Sequence, residues 1–342
     1  MTDKHMRLHL LIVALITTLC ATAQSAYRNW VKDPLGEGFQ MRYVWLADDY
    51  AGHQRCTLVR SVCADSTRRG VLYVHGFNDY FFQAEEAREF NRHGYDFYAV
   101  DLRKYGRSWL KGQKRCDARD MKEYFADIDS ALMQMYRDGI SRIALMGHST
   151  GGLLCAYYMA HRANPVKIDA LILNSPFLDW NLGKIEWAVP AVSAIGYLFP
   201  DLPVPQGKST AYGESIHSSH HGEWTFDTRW KSLHSEPVSA GWVRAIDKAQ
   251  NDLQHADHPI KVPILLMYSS RSHSADAWDP ACKDSDVVLD VNDIKRYGVL
   301  LGTDVTCVKV VGGVHDLFLS APAVRKALYA KVFDWLGKNT QM

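Results

Sequence analysis

The sequence carries almost no net charge. Over 342 residues, 39 lysines and arginines meet 38 acidic residues, a formal balance of +1. No Lys/Arg-rich run or basic stripe breaks that balance, which excludes the electrostatic footprint of a nucleic-acid binder. There is no G-x-x-x-x-G-K-[ST] phosphate loop and no G-x-G-x-x-G turn, so no nucleotide cofactor is expected. The absence of C-x-x-C argues against a zinc ribbon or a thioredoxin-type redox site. The histidines His217, His220 and His221 cluster, but no H-E-x-x-H accompanies them. They are read as a solvated loop, and no metal is expected. There is no internal repeat and no low-complexity linker.

The N-terminus is different in kind. Lys4, His5 and Arg7 precede an apolar run, LHLLIVALITTLC, and then Ala21-Thr22-Ala23. The run is shorter than the roughly 20 residues that span a bilayer comfortably. Residues 1–23 read as a secretory signal peptide cut after Ala23. An exported protein, periplasmic or secreted, is therefore expected. The alternative is a chain anchored to the membrane by an uncleaved N-terminus. Leu19 before Cys20 weakens a lipoprotein reading. Six cysteines follow the cut: Cys56, Cys63, Cys116, Cys155, Cys282 and Cys307. An even number permits disulfides in an exported chain. Cys56 and Cys63 are spaced to staple a hairpin, whereas Cys155 sits in an apolar helical stretch and reads as a buried thiol.

Short β-branched and aromatic runs occupy residues 69–75, 95–101, 142–147, 168–174, 262–269 and 305–311. Near-continuous apolar runs of this length suit strands buried on both faces. Helical patterns at 83–92, 119–138, 150–161 and 322–336 lie among them, and residues 38–47 and 54–64 form an antiparallel lead-in pair. The expected fold class is α/β, a mostly parallel sheet flanked by helices. The rhythm stops after Pro176. Residues 24–176 read as the first part of the core, 177–257 as an inserted cap and 258–342 as the second part of the core.

The sharpest motif is Gly147-His148-Ser149-Thr150-Gly151, a G-x-S-x-G between a strand and a helix. A serine on so tight a turn needs neighbours without side chains. Its weak hydroxyl needs a base. His315, on the loop after the last strand, is the only histidine beyond His273. An aspartate between them should orient the imidazole. Asp276, Asp279, Asp284, Asp286, Asp290 and Asp293 all satisfy the chain order. Asp286 is preferred because it lies on the loop before a helix expected at 294–301. Asp290 is the second choice, or that helix's N-cap. Backbone N–H groups of Phe77, in His75-Gly76-Phe77, and of Thr150 are the candidate oxyanion donors.

His75-Gly76-Phe77, Gly147-His148-Ser149-Thr150-Gly151 and Gly313-Val314-His315 together resemble the α/β-hydrolase superfamily, in particular its monoacylglycerol lipase, lysophospholipase and serine-aminopeptidase-like branch. Asp101-Leu102-Arg103-Lys104-Tyr105-Gly106-Arg107-Ser108 is similar to that branch's strand-end element, although it reads most simply as a structural turn. Gly222-Glu223-Trp224 and residues 237–246 resemble cap elements of bacterial members. The likeness spans about residues 69–336. It departs at the acid, which the branch places a few residues after the strand but which here follows residues 270–285. The resemblance implies a cofactor-free serine hydrolase of a small-molecule or lipid ester, a lysophospholipid or monoacylglycerol, with transient membrane-surface contact through the cap. A peptidase taking N-terminal residues would need Glu186, Glu214 or Glu223 to hold the free amine. A non-catalytic exported binding protein on the same fold is the alternative of another class. The apolar segment at 187–199 would either line an acyl-chain pocket or form the cap's own core.

Overall fold

The computed structural model describes residues 29–339 except 164, 206 and 208. The expected leader at 1–23 lies outside the described residues. The chain opens with β1 (Val31–Lys32), β2 (Gln40–Asp49) and β3 (Gly52–Ser61), paired antiparallel in turn. Strands β4 (Arg69–Val74), β5 (Asp96–Asp101), β6 (Arg142–His148) and β7 (Ala170–Asn174) follow. A minor antiparallel ladder joins β8 (Pro203–Val204) to β9 (Val238–Ser239), and β10 (Ile264–Ser269) and β11 (Val305–Val310) complete the set. Among the described residues the main sheet has the order β1-β2-β3-β5-β4-β6-β7-β10-β11. It is parallel from β5 to β11. The mostly parallel sheet expected from the apolar runs is thus present.

Both faces of the central strands are apolar, as parallel strands under two helical layers require. Leu72 and Val74 of β4, and Leu145 of β6, enter one core cluster. Val71 and Tyr73, with Met146, enter the other. The alternation follows from the two-residue period of a strand. Helices α1 (Ala84–Arg92), α2 (Phe125–Arg137), α3 (Thr150–His161), α4 (Val189–Leu198), α5 (Ala211–Ile216), α6 (Ala240–Gln254), α7 (Val291–Gly298) and α8 (Pro322–Asn339) accompany the strands. Residues of α2, α3, α6 and α7 cover the first face, and those of α1 and α8 the second.

Three expectations need correction. Strand β11 is the sheet edge, with Cys307 and Lys309 exposed, so it is not buried on both faces. Cys56 lies within β3, and Cys63 only two residues beyond its end. The two therefore share one arm of the hairpin and cannot staple it. All six cysteines among the described residues are free thiols, Cys155 buried among them. The helix expected at 294–301 begins earlier, because the Asp290 carboxylate accepts the Asn292 N–H and caps α7 at its start.

Between β7 and β10 the chain leaves the sheet. Helix α4 packs on α6, and α6 in turn packs on α3 of the central unit. Trp242, Ile246, Ala249 and Leu253 of α6 enter the first core cluster. The inserted stretch is thereby rooted in the core at its C-terminal end.

Candidate active site

Strand β6 delivers Ser149 at a turn into α3, and the turn is strained. Ser149 has φ 54° and ψ −119°, a conformation a side-chain-bearing residue holds only when its surroundings impose it. The flanking glycines explain how. A Cβ on Gly147 would overlap the Gly151 carbonyl, and one on Gly151 would overlap the carbonyls of Val74 and His75. The motif packs strand, turn and helix too closely for any side chain.

The structure brings Ser149, His315 and Asp286 together. The Ser149 hydroxyl lies 2.9 Å from His315 Nε2, and His315 Nδ1 lies 2.9 Å from Asp286 Oδ2. A carboxylate can only accept, so the imidazole proton sits on Nδ1 and Nε2 is left free to take the serine proton. Asp286 is fully buried, and His315 nearly so. Asp286 Oδ1 accepts the N–H groups of Val288 and Leu289 at 2.9 Å each. The chain also explains how Asp286, so far past β10, reaches His315. After β10 the chain makes an excursion and returns. Asp286 pairs with Ser272 in a parallel bridge, its N–H donating to the Arg271 carbonyl at 2.9 Å and its carbonyl accepting the His273 N–H at 2.8 Å. The acid is thus seated beside the strand end. Asp290 sits at the start of α7 and does not contact His315.

Phe77 and Thr150 both line the cavity beside Ser149. Thr150 is the first residue of α3, and its N–H has no acceptor within the helix. Gly76 brings the Phe77 turn against the serine, since a Cβ there would stand 3.0 Å from Ser149 Cβ. His75 secures the turn: its Nε2 accepts the Leu102 N–H at 3.0 Å and its Nδ1 donates to the Gly76 carbonyl at 2.8 Å.

Several polar residues of the site carry no signature in the sequence. The Asn78 amide donates to the carbonyls of Ser232 and His234 at 2.9 Å each. Asp79 pairs with Lys231 at 2.9 Å, both buried. These contacts tie the Phe77 turn to the stretch between β7 and β10. Asp316 is buried beside His315 and accepts from Asn174 at 2.8 Å and Gln83 at 3.1 Å, anchoring the His315 loop to the end of β7. His148 packs near the His315 ring, with centroids 4.8 Å apart. Burial pushes its imidazole down to about 4, so it stays neutral beside His315. The Asp101 to Ser108 turn is structural. Arg107 is buried between Asp33 and Asp101 at 2.8 Å from each, and Asp101 also accepts the Phe81 N–H.

Above Ser149 lies a cavity of about 490 Å³, walled by Trp180, Ile185, Val189, Val192, Val204 and Trp242 among others. The segment at 187–199 divides: Val189 and Val192 line the cavity, whereas Tyr197, Leu198 and Phe199 are exposed. Glu186, Glu214 and Glu223 do not line it, and Glu223 pairs with Arg325. The histidines 217, 220 and 221 do not converge: His217 bonds Ser219, and His221 stacks on Trp278.

The family model described as serine aminopeptidase, S33 matches residues 65–277. Phospholipase YtpA of Bacillus subtilis (strain 168) is 26% identical over 210 residues, which is 60% of this chain and 76% of that protein. Among solved structures, the monoglyceride lipase of Saccharomyces cerevisiae superposes with a TM-score of 0.65 at 16% identity, covering 87% of this chain and 95% of that one. The monoacylglycerol lipase of Paleococcus ferrophilus superposes with a TM-score of 0.61 at 20% identity, covering 82% and 98%. The fold is the one these enzymes share, an α/β-hydrolase.

Proposed function

Because the chain belongs to the serine aminopeptidase S33 family of α/β-hydrolases, we propose that this hydrolase cleaves carboxylic esters of lipids through an acyl-enzyme on Ser149. The observation that carries the reading is the relay of Asp286, His315 and Ser149 opening into an apolar cavity. In the first half-reaction His315 Nε2 takes the Ser149 proton as Oγ attacks the ester carbonyl. The Phe77 and Thr150 N–H groups stabilise the oxyanion, and Asp286 stabilises the imidazolium. The alcohol leaves with the proton from His315. Water then releases the acid by the same route.

The cavity favours an acyl chain, and the likeness to a phospholipase and to monoglyceride lipases favours a lysophospholipid or a monoacylglycerol. An aminopeptidase needs an uncompensated acid to hold the substrate's ammonium group. The acid in this cavity is Asp79, already neutralised by Lys231. The exposed cap residues Trp187, Tyr197, Leu198 and Phe199 would meet the lipid surface that supplies the substrate. Export through the 1–23 leader is part of the same proposal, and N-terminal sequencing of the mature protein tests it.

The deciding experiment is fluorophosphonate labelling of wild type beside Ser149→Ala, followed by p-nitrophenyl esters against aminoacyl anilides. Labelling lost in the variant, with ester turnover, supports the proposal. A folded wild type that is not labelled would overturn the acyl-enzyme. Turnover of anilides alone would overturn the ester.

A further inference from the structure

The excursion between β10 and Asp286 carries a side-chain cluster that ester hydrolysis does not use. His273 Nε2 lies 2.7 Å from Asp279 Oδ2, and Cys282 Sγ accepts the Asp279 N–H at 3.5 Å. One donor atom from each of the three residues falls within 4.8 Å of the other two. The backbone fixes all three. His273 directly follows Ser272 and donates its N–H to the Asp286 carbonyl, so the imidazole starts from the bridge that seats the acid. Asp279 uses Oδ1 to accept the Ala281 N–H and cap the short turn Pro280–Lys283, which leaves Oδ2 facing the imidazole. Cys282 rides on that turn and is fully buried. His273 and Asp279 are partly exposed, which opens one side of the cluster to solvent.

We propose that His273, Asp279 and Cys282 bind a thiophilic divalent cation, zinc by preference, which pins the excursion to the strand end where Asp286 is held. An imidazole, a thiolate and one carboxylate suit zinc, whereas magnesium and calcium take oxygen ligands. A neutral imidazole with two anionic ligands balances the ion's two positive charges. Water on the exposed side completes a tetrahedron. Zinc bonds of about 2.0–2.3 Å set neighbouring ligand atoms about 3.5 Å apart. Binding therefore replaces the His273–Asp279 hydrogen bond and draws the three donors around the ion. The Cys282 thiol gives its proton to solvent as it becomes a ligand, so affinity rises with pH. Nothing in this proposal depends on the ester reading.

The test is titration of the chelator-stripped full chain with Co²⁺, then displacement by Zn²⁺. The expected result is one equivalent of Co²⁺ giving a thiolate-to-cobalt charge-transfer band that zinc removes. The band is lost in Cys282→Ser. Affinity falls by about tenfold or more in His273→Ala, since losing even an outer-shell partner of a metal ligand costs that much. Ser149→Ala binds like wild type, which separates this result from the catalytic one. Zinc should also raise the melting temperature of wild type by more than that of either cluster variant. No charge-transfer band in saturated wild type would overturn the proposal without reliance on any variant. A band that survives Cys282→Ser would overturn it as well, by moving the ion to another thiol.

Discussion

Asp286→Asn exchanges one oxygen for an amide nitrogen in a buried site, and the structure dictates how the amide must sit. Two backbone N–H groups, from Val288 and Leu289, point at Oδ1. The asparagine oxygen keeps those bonds, so its Nδ2 takes the place of Oδ2, 2.9 Å from His315 Nδ1. That nitrogen is a donor. His315 Nδ1 must then accept, and the ring proton moves to Nε2, where it faces the Ser149 hydroxyl. The serine proton has lost its acceptor. A tautomer reversal of this kind in a serine relay lowers kcat by about 10⁴, equivalent to about 5 kcal/mol on the barrier. Asp286 does not line the cavity, so KM should stay within about threefold of wild type. The assay is p-nitrophenyl butyrate hydrolysis, with circular dichroism to verify the fold. Asp290→Asn is the control, since asparagine caps a helix as well as aspartate does, and its activity should be unchanged. An Asp286→Asn enzyme keeping more than about a tenth of its kcat, or an Asp290→Asn enzyme losing comparably, would refute the reasoning.

Arg107→Ala strands the buried carboxylates of Asp33 and Asp101 and should cost about 3–5 kcal/mol of stability. Urea denaturation reads this as a lower midpoint, and a loss under about 1 kcal/mol would mean the knot is not coupled to folding. His148 titrates near 6.5 when unfolded, but burial holds it down to about 4 in the folded chain. Its contribution to stability is therefore present above pH 6.5 and lost as pH falls towards 4, by about 3 kcal/mol. His148→Gln should flatten the stability profile across that window, and an unchanged slope would count against the assignment. Val192→Trp fills one wall of the cavity. It should lower kcat/KM for long-chain esters relative to short ones by about tenfold or more, and an equal loss at every chain length would argue that the acyl chain lies elsewhere.

What could be read before folding was local. The G-x-S-x-G turn announces itself because its glycines flank the serine in a short motif, although only Gly147 answers to packing within the turn, Gly151 being held against the Val74 and His75 carbonyls at the end of β4. The central strands were legible because burial on both faces demands an uninterrupted apolar run. His315 was isolated by chain order. The acid was harder. Several aspartates satisfied the same order, and the preference for Asp286 rested on loop position. Its seating beside the strand end depends on the Ser272 bridge, which closes an excursion whose length carries no hint of where it returns. Residue spacing misled at Cys56 and Cys63, because nearness in sequence does not tell one strand from two.

The sequence by itself determined the fold class and the glycine-flanked Ser149 turn, since each follows from hydrophobic period or backbone geometry among neighbouring residues, and it singled out His315 by chain order alone. Tertiary structure alone decided the Asp79–Lys231 pair, the anchoring of His315 through Asp316 and Asn174, the apolar wall above Ser149 and the meeting of His273 with Cys282. Those are contacts between segments that no local propensity relates. They exist only after the sheet and its helical layers have assembled and taken the groups out of water, where an unpaired charge or donor is too costly to leave alone.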